Sequence, residues 1–154
     1  MRYWLLKSEP DVFSIDDLSR APKQTSGWDG VRNYQVRNFM RDQMNVGDQG
    51  FFYHSSCAQP GIAGIVSISS AAYPDPTQFD RKHDHYDAAS TRDNPRWLMM
   101  DVKLLRKFKR VITLEELRQH ETRELQQLLV LKRGNRLSIT PVTASEWRYI
   151  ISLE

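Results

Sequence analysis

The sequence predicts an α+β fold, a mixed β-barrel of five or six short strands with peripheral helices. Apolar and aromatic runs of strand length recur along the chain, helix-capping patterns lie between them, and the strands do not alternate regularly with long helices. Regular alternation would indicate a doubly wound parallel sheet, so a small mixed or closed barrel fits better. No linker or internal repeat is visible, and one domain is expected over residues 1–154.

The first third of the chain is predicted to hold one strand and two helices. Residues 2–7, RYWLLK, form an aromatic and apolar run of strand length that ends before Pro10. Ser14 and Asp17 form a variant of the capping box, with a hydroxyl at the N-cap and a carboxylate three residues later, and predict a short helix. The next helix is predicted from Asn33 to Gln43 because apolar side chains recur there at helical spacing.

The middle of the chain is predicted to be β-structure. Residues 49–55, QGFFYHS, are rich in aromatic side chains, which favour strands. A turn at residues 59–61 leads into a longer predicted strand from Ile62 to Ala72. Residues 74–94 form a long polar loop, of a length that is usually functional or mobile in compact domains. A strand resumes from Trp97 to Lys107.

The last third is mixed. Two capping-box patterns predict the start of helices: Thr113 with Glu116, and Thr143 with Glu146. Residues 124–131 offer a further helical segment. A turn at residues 133–136 then leads into a short strand over residues 137–139.

Composition excludes several classes of protein. The single cysteine, Cys57, cannot form an internal disulfide, so a disulfide-stabilised secreted scaffold is excluded and a reducing compartment is expected. Lys7 and Glu9 interrupt the N-terminal apolar run before it reaches the length of a signal peptide's hydrophobic region. No stretch approaches the roughly 20 apolar residues of a membrane span. We therefore expect a cytoplasmic protein with no membrane partner.

The positive charge is small and unevenly distributed. The formal net charge is +3, with a net −2 over residues 1–101 and a net +5 over residues 102–154. Arginine, which can bind phosphate bidentately and stack on bases, supplies 15 of the 22 basic residues. A dense basic run lies in the predicted strand end: Lys103, Arg106, Lys107, Lys109 and Arg110. The run fits phosphate contacts and equally a solvated strand end, and composition leaves both open.

Motifs for catalysis or cofactor binding are missing. The chain has no phosphate-binding glycine motif, no HExxH, no paired CxxC and no nucleophile elbow. A His/Asp cluster could hold a metal or form an ordinary solvated loop: His83, Asp84, His85 and Asp87. His54 and Cys57 could form a catalytic pair or leave an inert thiol at a strand end. We expect no metal, no cofactor and no catalytic residues.

The segment WDGVRNYQVRN, residues 28–38, is the most unusual of the chain. Trp28 stands before a predicted helix and could offer a face for stacking, while Asn33 and the free amides of the helix could bind polar groups. Equally, Trp28 could fill the core and Asn33 could only cap the helix. The residues alone leave both interpretations open.

At this segment the chain resembles the EVE domain family of the PUA-like superfamily. The resemblance includes YWLLKSEP at the N-terminus, WDGVRNYQVRNFMRD, GDQGFFYHS and RGNRLSITPVTASEW, and it covers essentially the whole chain in order. It implies a PUA-like barrel with a cleft on one side. In the related YTH domains an aromatic pocket holds a methylated base, and EVE domains are regarded as readers of modified bases in DNA or RNA, without catalytic machinery.

The resemblance implies which residues form the base-binding cleft. The expected set is Lys7, Ser8, Glu9, Trp28, Gly30, Val31, Arg32, Asn33, Tyr53, His54, Ser55, Trp97, Arg136, Leu137 and Ser138. Within it, Trp28 and Trp97 are expected to stack on a methylated or otherwise modified base, and Ser8, Asn33 and Ser55 to read its edge. Arg32, Arg136 and the basic run of residues 103–110 are expected to position phosphates.

Two other functions remain open at this stage. The chain could be an enzyme that acts on nucleic acid or nucleotides through residues 80–87, His54 and Cys57. Alternatively, the same cleft could bind a free nucleotide or another small molecule as a sensor. The partner implied by the resemblance is DNA or RNA that carries a modified base.

Overall fold

Six strands form one curled sheet in the computed structural model, which describes residues 1–154. The strands in chain order are β1 (Tyr3–Ser8), β2 (Thr25–Gly27), β3 (Gln49–His54), β4 (Gly61–Ile68), β5 (Tyr73–Pro74), β6 (Leu98–Met99), β7 (Asp101–Thr113) and β8 (Ile139–Val142). Across the large sheet the order is β2-β7-β4-β3-β1-β8, while β5 and β6 pair separately. Strands β1 and β3 are parallel, and all other neighbours are antiparallel. The sheet is a half-barrel whose edges are β2 and β8.

Four α-helices accompany the sheet: α1 (Ile15–Arg20), α2 (Tyr34–Asp42), α3 (Leu114–Arg118) and α4 (Ala144–Leu153). Short 3₁₀ turns occupy Pro22–Gln24, Pro76–Phe79 and Leu129–Leu131. None of the helices has the length and apolar character needed to cross a membrane. The predicted α+β class, with a mixed sheet and peripheral helices, is confirmed.

Side-chain caps determine where the first two helices begin. The hydroxyl of Ser14 accepts a hydrogen bond from the amide of Asp17 (3.1 Å), and the carboxylate of Asp17 accepts one from the amide of Ser14 (2.9 Å). The predicted capping box is confirmed. The side-chain oxygen of Asn33 accepts from the amide of Val36 (3.1 Å) and caps α2. Each cap satisfies an amide that a helix N-terminus would leave unpaired.

The caps of α3 and α4 are present without the reciprocal half of the capping box. The hydroxyls of Thr113 and Thr143 accept from the amides of Glu116 (3.1 Å) and Glu146 (3.2 Å). The carboxylate of Glu116 instead pairs with Arg110, and that of Glu146 accepts from the hydroxyl of Thr143. Neither carboxylate therefore accepts from the N-cap amide: that of Glu116 makes a tertiary ion pair, and that of Glu146 binds the N-cap hydroxyl.

The sheet buries apolar side chains on both faces. In β1, Leu6 packs with α1 and α2, which we call the inner face, whereas Leu5 packs with α3 and α4, the outer face. In β3, Phe52 lies on the inner face, and Phe51 and Tyr53 lie on the outer face. Because successive side chains of a strand point to opposite faces, strands buried on both sides are apolar along their whole length.

The predicted helix over residues 124–131 is wrong, because this segment forms turns and the 3₁₀ turn Leu129–Leu131. Its buried leucines are spaced three residues apart, which suits 3₁₀ turns: Leu125, Leu128 and Leu131. The carboxylate of Glu146 in α4 accepts a hydrogen bond from the amide of Gln127 (3.0 Å). Tertiary contacts thus hold the segment in a form that local propensity alone does not indicate.

Three strand boundaries differ from the prediction. Strand β4 ends at Ile68. The amide of Ser69 then donates to the carbonyl of Asp101, and the hydroxyl of Ser70 accepts from the amide of Asp101. Strand β7 continues past Lys107 to Thr113, because its basic side chains are solvent-exposed while its backbone still pairs with β4. Strand β8 begins at Ile139 and runs to Val142.

Candidate functional site

A cleft opens between the two edges of the half-barrel. Its walls are the end of β1, the segment that includes and follows β2, and the segment that precedes β8. The turn at residues 12–13 and the loop at residues 84–85 contribute the remaining sides. Two adjoining parts have volumes of about 340 Å³ and about 580 Å³. Typical ligand pockets measure about 300–1,000 Å³, so the cleft has room for a nucleobase.

Most of the residues predicted for the site line this cleft. They are Lys7, Ser8, Glu9, Trp28, Gly30, Val31, Ser55, Arg136 and Ser138. The predicted residues that do not line it are Arg32, Asn33, Tyr53, His54, Trp97 and Leu137. The structure adds a third group that the prediction missed: Val12, Phe13, Ser26, Gly27, Asp29, Asp84 and His85.

The end of β1 brings a cation into the cleft. The amide of Lys7 donates to the carbonyl of Ser138 (2.8 Å), which joins β1 to the start of β8. The Lys7 ammonium forms no ion pair, and burial lowers its pKa. The hydroxyl of Ser8 donates to the carbonyl of Phe13 (2.6 Å), so its oxygen remains available as an acceptor. Lys7 and Ser8 therefore both contribute to the cleft lining at the end of β1.

Trp28 forms the apolar floor of the cleft. Its amide donates to the carbonyl of Met100 (2.7 Å), and its ring meets Phe52 edge to face at a centroid distance of 5.5 Å. The residue is 6% exposed, so only a small part of the ring reaches the cleft. Phe13 packs against the same Phe52, and Val12 stands at the rim with 77% of its surface exposed. The two interpretations of Trp28, core filling and cleft lining, both hold in part.

The buried carboxylate of Asp75, which does not itself line the cleft, holds the segment after Trp28 in place. Asp75 accepts hydrogen bonds from the amide of Gly30 (2.8 Å), from the amide and hydroxyl of Thr77 (2.8 and 2.6 Å) and from the guanidinium of Arg32 (3.1 Å). Burial alone would raise the pKa of Asp75, but the hydrogen bonds from Thr77, Gly30 and Arg32 together lower it. Asp75 therefore stays ionised and fixes the cleft wall.

Arg32 is occupied by protein groups. Its guanidinium donates twice to the carbonyl of His85 (2.9 and 2.7 Å), once to the hydroxyl of Thr77 (3.0 Å) and once to the carbonyl of Val31 (2.8 Å). It also lies 5.5 Å from the ring centroid of Trp97. With these bonds and its ion pair to the buried carboxylate, Arg32 anchors the 75–87 loop and is not free to position a phosphate.

His85 reaches the cleft because residue 30 has no side chain. Gly30 has a φ of +79°, a left-handed conformation that favours glycine, and a Cβ there would stand 2.8 Å from Cε1 of His85. The His83 ring, 5.2 Å away between centroids, accepts a hydrogen bond through Nδ1 from the amide of His85 (3.0 Å). No cluster of three or more His, Cys, Asp or Glu side chains is arranged to hold a metal.

Trp97 does not line the cleft, although the resemblance implies that it stacks on a base there. It is 5% exposed, and its ring Nε1 donates to the carboxylate of Asp87 (2.7 Å). Its ring packs against Tyr34 at a tilt of 31°, with centroids 4.7 Å apart. Its backbone amide and carbonyl both bond the side chain of the buried Gln78. Trp97 therefore packs the long loop against the domain.

The end of β3 does not supply cleft residues other than Ser55. Tyr53 points to the outer face because strand side chains alternate, and burial raises its pKa to about 12. His54 lies on the inner face but uses Nε2 to accept from the amide of Ile15 (3.1 Å), and burial lowers its pKa. No hydrogen bond joins His54 to Cys57, so the two do not form a preassembled catalytic pair.

Two further predicted contacts serve the fold. Asn33 uses its side-chain oxygen to cap α2, and Leu137 packs against the inner-face core. Both residues flank cleft segments in sequence while their side chains turn away from the cleft. Proximity along the chain thus does not ensure a place in the lining.

The structure does not bring the basic run together as one phosphate-binding surface. Arg106 and Arg110 lie on the outer face, where they pair with Glu154 and Glu116 respectively. Lys107 points to the other face and pairs with Asp16 in the first turn of α1. The alternation of side chains along β7 divides the run between the two faces.

The cleft itself carries both signs of charge. Lys7 and Arg136 lie on the β1–β8 side, with Glu9 as the carboxylate of that side, whereas Asp29 and Asp84 lie on the opposite segments. Neither Arg136 nor Asp29 forms a side-chain hydrogen bond or an ion pair within the protein. Asp29 and His85 fall in segments that are unusual in composition. Val12 and Phe13 enter through a turn onto the carbonyl of Glu9, and Pro10 and Asp11 within it are typical turn residues.

Comparison with known proteins identifies the family. The EVE domain model matches residues 2–153. Thymocyte nuclear protein 1 of Homo sapiens is 48% identical over 166 residues, which span 99% of this chain and 73% of that protein. The structure of human THYN1 protein in complex with 5-methylcytosine-containing DNA superposes with a TM-score of 0.94 at 47% identity, covering 99% of this chain and 97% of that one. A Pseudomonas putida structure gives a TM-score of 0.92 at 50% identity, covering 98% of both chains. The chain belongs to the EVE domain family.

Proposed function

We propose that this EVE domain binds DNA or RNA that carries a modified base, holds that base in the cleft and performs no catalytic step. The supporting observation is a cleft with an apolar floor and unpaired polar groups, in a chain 47% identical to a relative whose structure is a complex with 5-methylcytosine-containing DNA. DNA with 5-methylcytosine is therefore the first ligand to test, and RNA the second.

The apolar part of the cleft supplies affinity for the base. Trp28, Phe13 and the exposed Val12 offer apolar surface, and stacking of a base on an aromatic side chain is worth about 1–3 kcal/mol. A buried methyl group adds only about 0.8 kcal/mol by area. Preference for a methylated base therefore depends on how closely the floor and rim enclose the methyl group.

The polar groups supply recognition of the base edge. A cytosine edge presents an amino group beside acceptor atoms, and carboxylates are suitable acceptors for that amino group. Asp29 has an unpaired carboxylate in the cleft, Lys7 has an unpaired ammonium, and the hydroxyls of Ser55 and Ser138 form no hydrogen bond within the protein. This set can satisfy both the donor and the acceptors of such an edge.

A binding panel tests the proposal. Fluorescence anisotropy should compare oligonucleotides of one sequence that carry cytosine, 5-methylcytosine, adenine or N6-methyladenine, each as DNA and as RNA, at fixed salt. We expect tighter binding of one modified oligonucleotide than of its unmodified match. Equal affinity for every matched pair would refute the reader function.

The same panel separates the other two functions. Free 5-methyldeoxycytidine that binds as tightly as the oligonucleotide would indicate a small-molecule sensor. Mass spectrometry of the oligonucleotide after prolonged incubation should return it unchanged, and a changed mass would indicate an enzyme.

A further inference from the structure

One basic element borders the cleft without being neutralised by carboxylates. It is the loop of residues 132–136, KRGNR, between the 3₁₀ turn and β8, which we call the basic loop. Arg133 and Arg136 are exposed and form no ion pair, and Arg136 lines the cleft directly. The ammonium of Lys132 donates to the carbonyl of Gln126, which holds the start of the loop to the preceding segment. One free guanidinium group, that of Arg136, therefore belongs to the cleft lining, and the exposed Arg133 lies three residues before it in the same loop.

The conformation of the basic loop is fixed by its own hydrogen bonds. Gly134 has a φ of +81°, and a Cβ there would meet nothing within 4 Å, so the turn projects into solvent. The amide of Asn135 donates to the carbonyl of Lys132 (3.3 Å), and the side chain of Asn135 accepts from the amide of Leu137 (3.1 Å). After the loop, the hydrogen bond from the amide of Lys7 to the carbonyl of Ser138 ties the chain to β1. The loop therefore presents its arginines from a defined position.

The charges around the cleft divide by side. Asp29 and Asp84 lie on the segments opposite the basic loop, and carboxylates there repel phosphates. Lys7 and Arg136 lie on the β1–β8 side, where Glu9 is the opposing carboxylate. The base can enter between the two sides, and the two cations of the cleft lining, Lys7 and Arg136, attract its phosphates to the β1–β8 side.

We propose that the basic loop, through Arg133 and Arg136, is the phosphate contact of this domain, and that the nucleic-acid backbone passes along the β1–β8 side of the cleft. The inference rests on the proposed function and replaces the run on β7 as the principal phosphate site. Arg106 and Arg110 of that run lie on the outer face, away from the inner-face side of Trp28.

Salt dependence of binding tests the assignment. Removal of one phosphate-binding arginine should lower the slope of log affinity against log salt by about one. Affinity for a 5-methylcytosine-containing DNA oligonucleotide should be measured between about 50 and 200 mM salt for Arg133→Gln, Arg136→Gln and the double variant. We expect the slope to fall by about one in each single variant and by about two in the double variant. The ratio of affinities for methylated and unmethylated DNA should stay as in the native protein, because phosphates carry no base identity.

The matched control is the double variant Arg106→Gln and Arg110→Gln, which removes the same charge from the outer face. Its slope should equal that of the native protein, and circular dichroism should show that all variants are folded. The inference would be overturned if the slope of log affinity against log salt changed as much in this control as in the Arg133→Gln and Arg136→Gln double variant. It would also be overturned if the slope of that loop double variant equalled the native slope. An Arg136→Gln variant that loses the methyl preference would also overturn it, since Arg136 would then read the base.

The experiment separates this inference from the proposed function. Native protein that binds the oligonucleotide with a methyl preference supports the function, whatever the variants show. Native protein that binds none of the DNA and RNA oligonucleotides of the binding panel overturns both. Binding without a preference for any modified base refutes the reader function, and the slopes of the variants still decide the position of the phosphate contact.

Discussion

The amide of Gly30 donates a hydrogen bond to the buried carboxylate of Asp75, 2.8 Å away, across 45 residues of sequence. The same carboxylate holds Arg32, whose guanidinium binds the carbonyl of His85. One buried charge therefore joins the cleft wall after β2 to the loop that carries His85. The shape of this side of the cleft depends on that charge.

Asp75→Asn should destabilise the domain by about 3 kcal/mol, because it leaves Arg32 without its counter-charge and places an amide NH₂ where only donors point. Urea unfolding checks this value. Asp42→Asn is the control, since Asp42 pairs with Arg41 on the exposed surface, and its effect should be far smaller. Equal losses in the two variants would show that the Asp75 network contributes little to stability.

The Asp75 network makes the free energy of unfolding depend on pH in the acid range. Asp75 has a lowered pKa in the folded state, so its contribution is full above the ordinary aspartate pKa near 3.8 and is lost as pH falls through the lowered value. Unfolding free energy should therefore decline as pH falls below about 3.8. Asp75→Asn should flatten that decline, and an equally steep decline in the variant would assign it to other carboxylates.

Gly30→Ala and Gly134→Ala should differ although both residues have positive φ. Each substitution forces alanine into a left-handed conformation, which costs about 1–2 kcal/mol. At Gly30 the new Cβ also collides with the His85 ring, whereas at Gly134 it meets open space. Gly30→Ala should therefore be the more destabilising in urea unfolding. Adding His85→Ala should remove the excess, and a double variant as unstable as Gly30→Ala alone would contradict the steric explanation.

Trp97→Phe should leave the preference for a modified base intact. Trp97 packs the long loop through Tyr34 and through the hydrogen bond that lowers the pKa of Asp87, and none of its surface lines the cleft. The variant should have a lower melting temperature and unchanged affinity ratios in the binding panel. Loss of preference with a native melting temperature would return Trp97 to the role that its sequence context had suggested.

Trp97 illustrates which parts of the site could be predicted. Ser8 at the end of β1 and Trp28 directly after β2 line the cleft, where the resemblance implies them. Trp97 directly precedes β6, but it contacts the carboxylate of Asp87 and the ring of Tyr34 on the loop side. These partners are distant in sequence, and no periodic pattern reveals them.

Strand alternation limited the prediction at two other places. The pattern in β3 shows that Phe52 and Tyr53 point to opposite faces, but it does not show which face carries the cleft. In β7 the same alternation divides the basic run, so Arg106 and Lys107 have different neighbours. The strands and capped helices were predictable from local pattern, whereas the facing of each side chain required the sheet order.

Lys7→Met should weaken binding without weakening the fold. The ammonium of Lys7 is partly buried without a counter-charge, and its lowered pKa shows that the folded protein disfavours the charged form. Methionine keeps the apolar stem and removes that charge, so the melting temperature of the variant should equal or exceed that of the native protein. Affinity for a 5-methylcytosine-containing oligonucleotide should fall by about tenfold, because the variant cannot form one charge-assisted hydrogen bond. Lys103→Met is the control, since that lysine is exposed on β7 and does not line the cleft. A lower melting temperature with unchanged affinity would mean that Lys7 serves the fold and not the ligand.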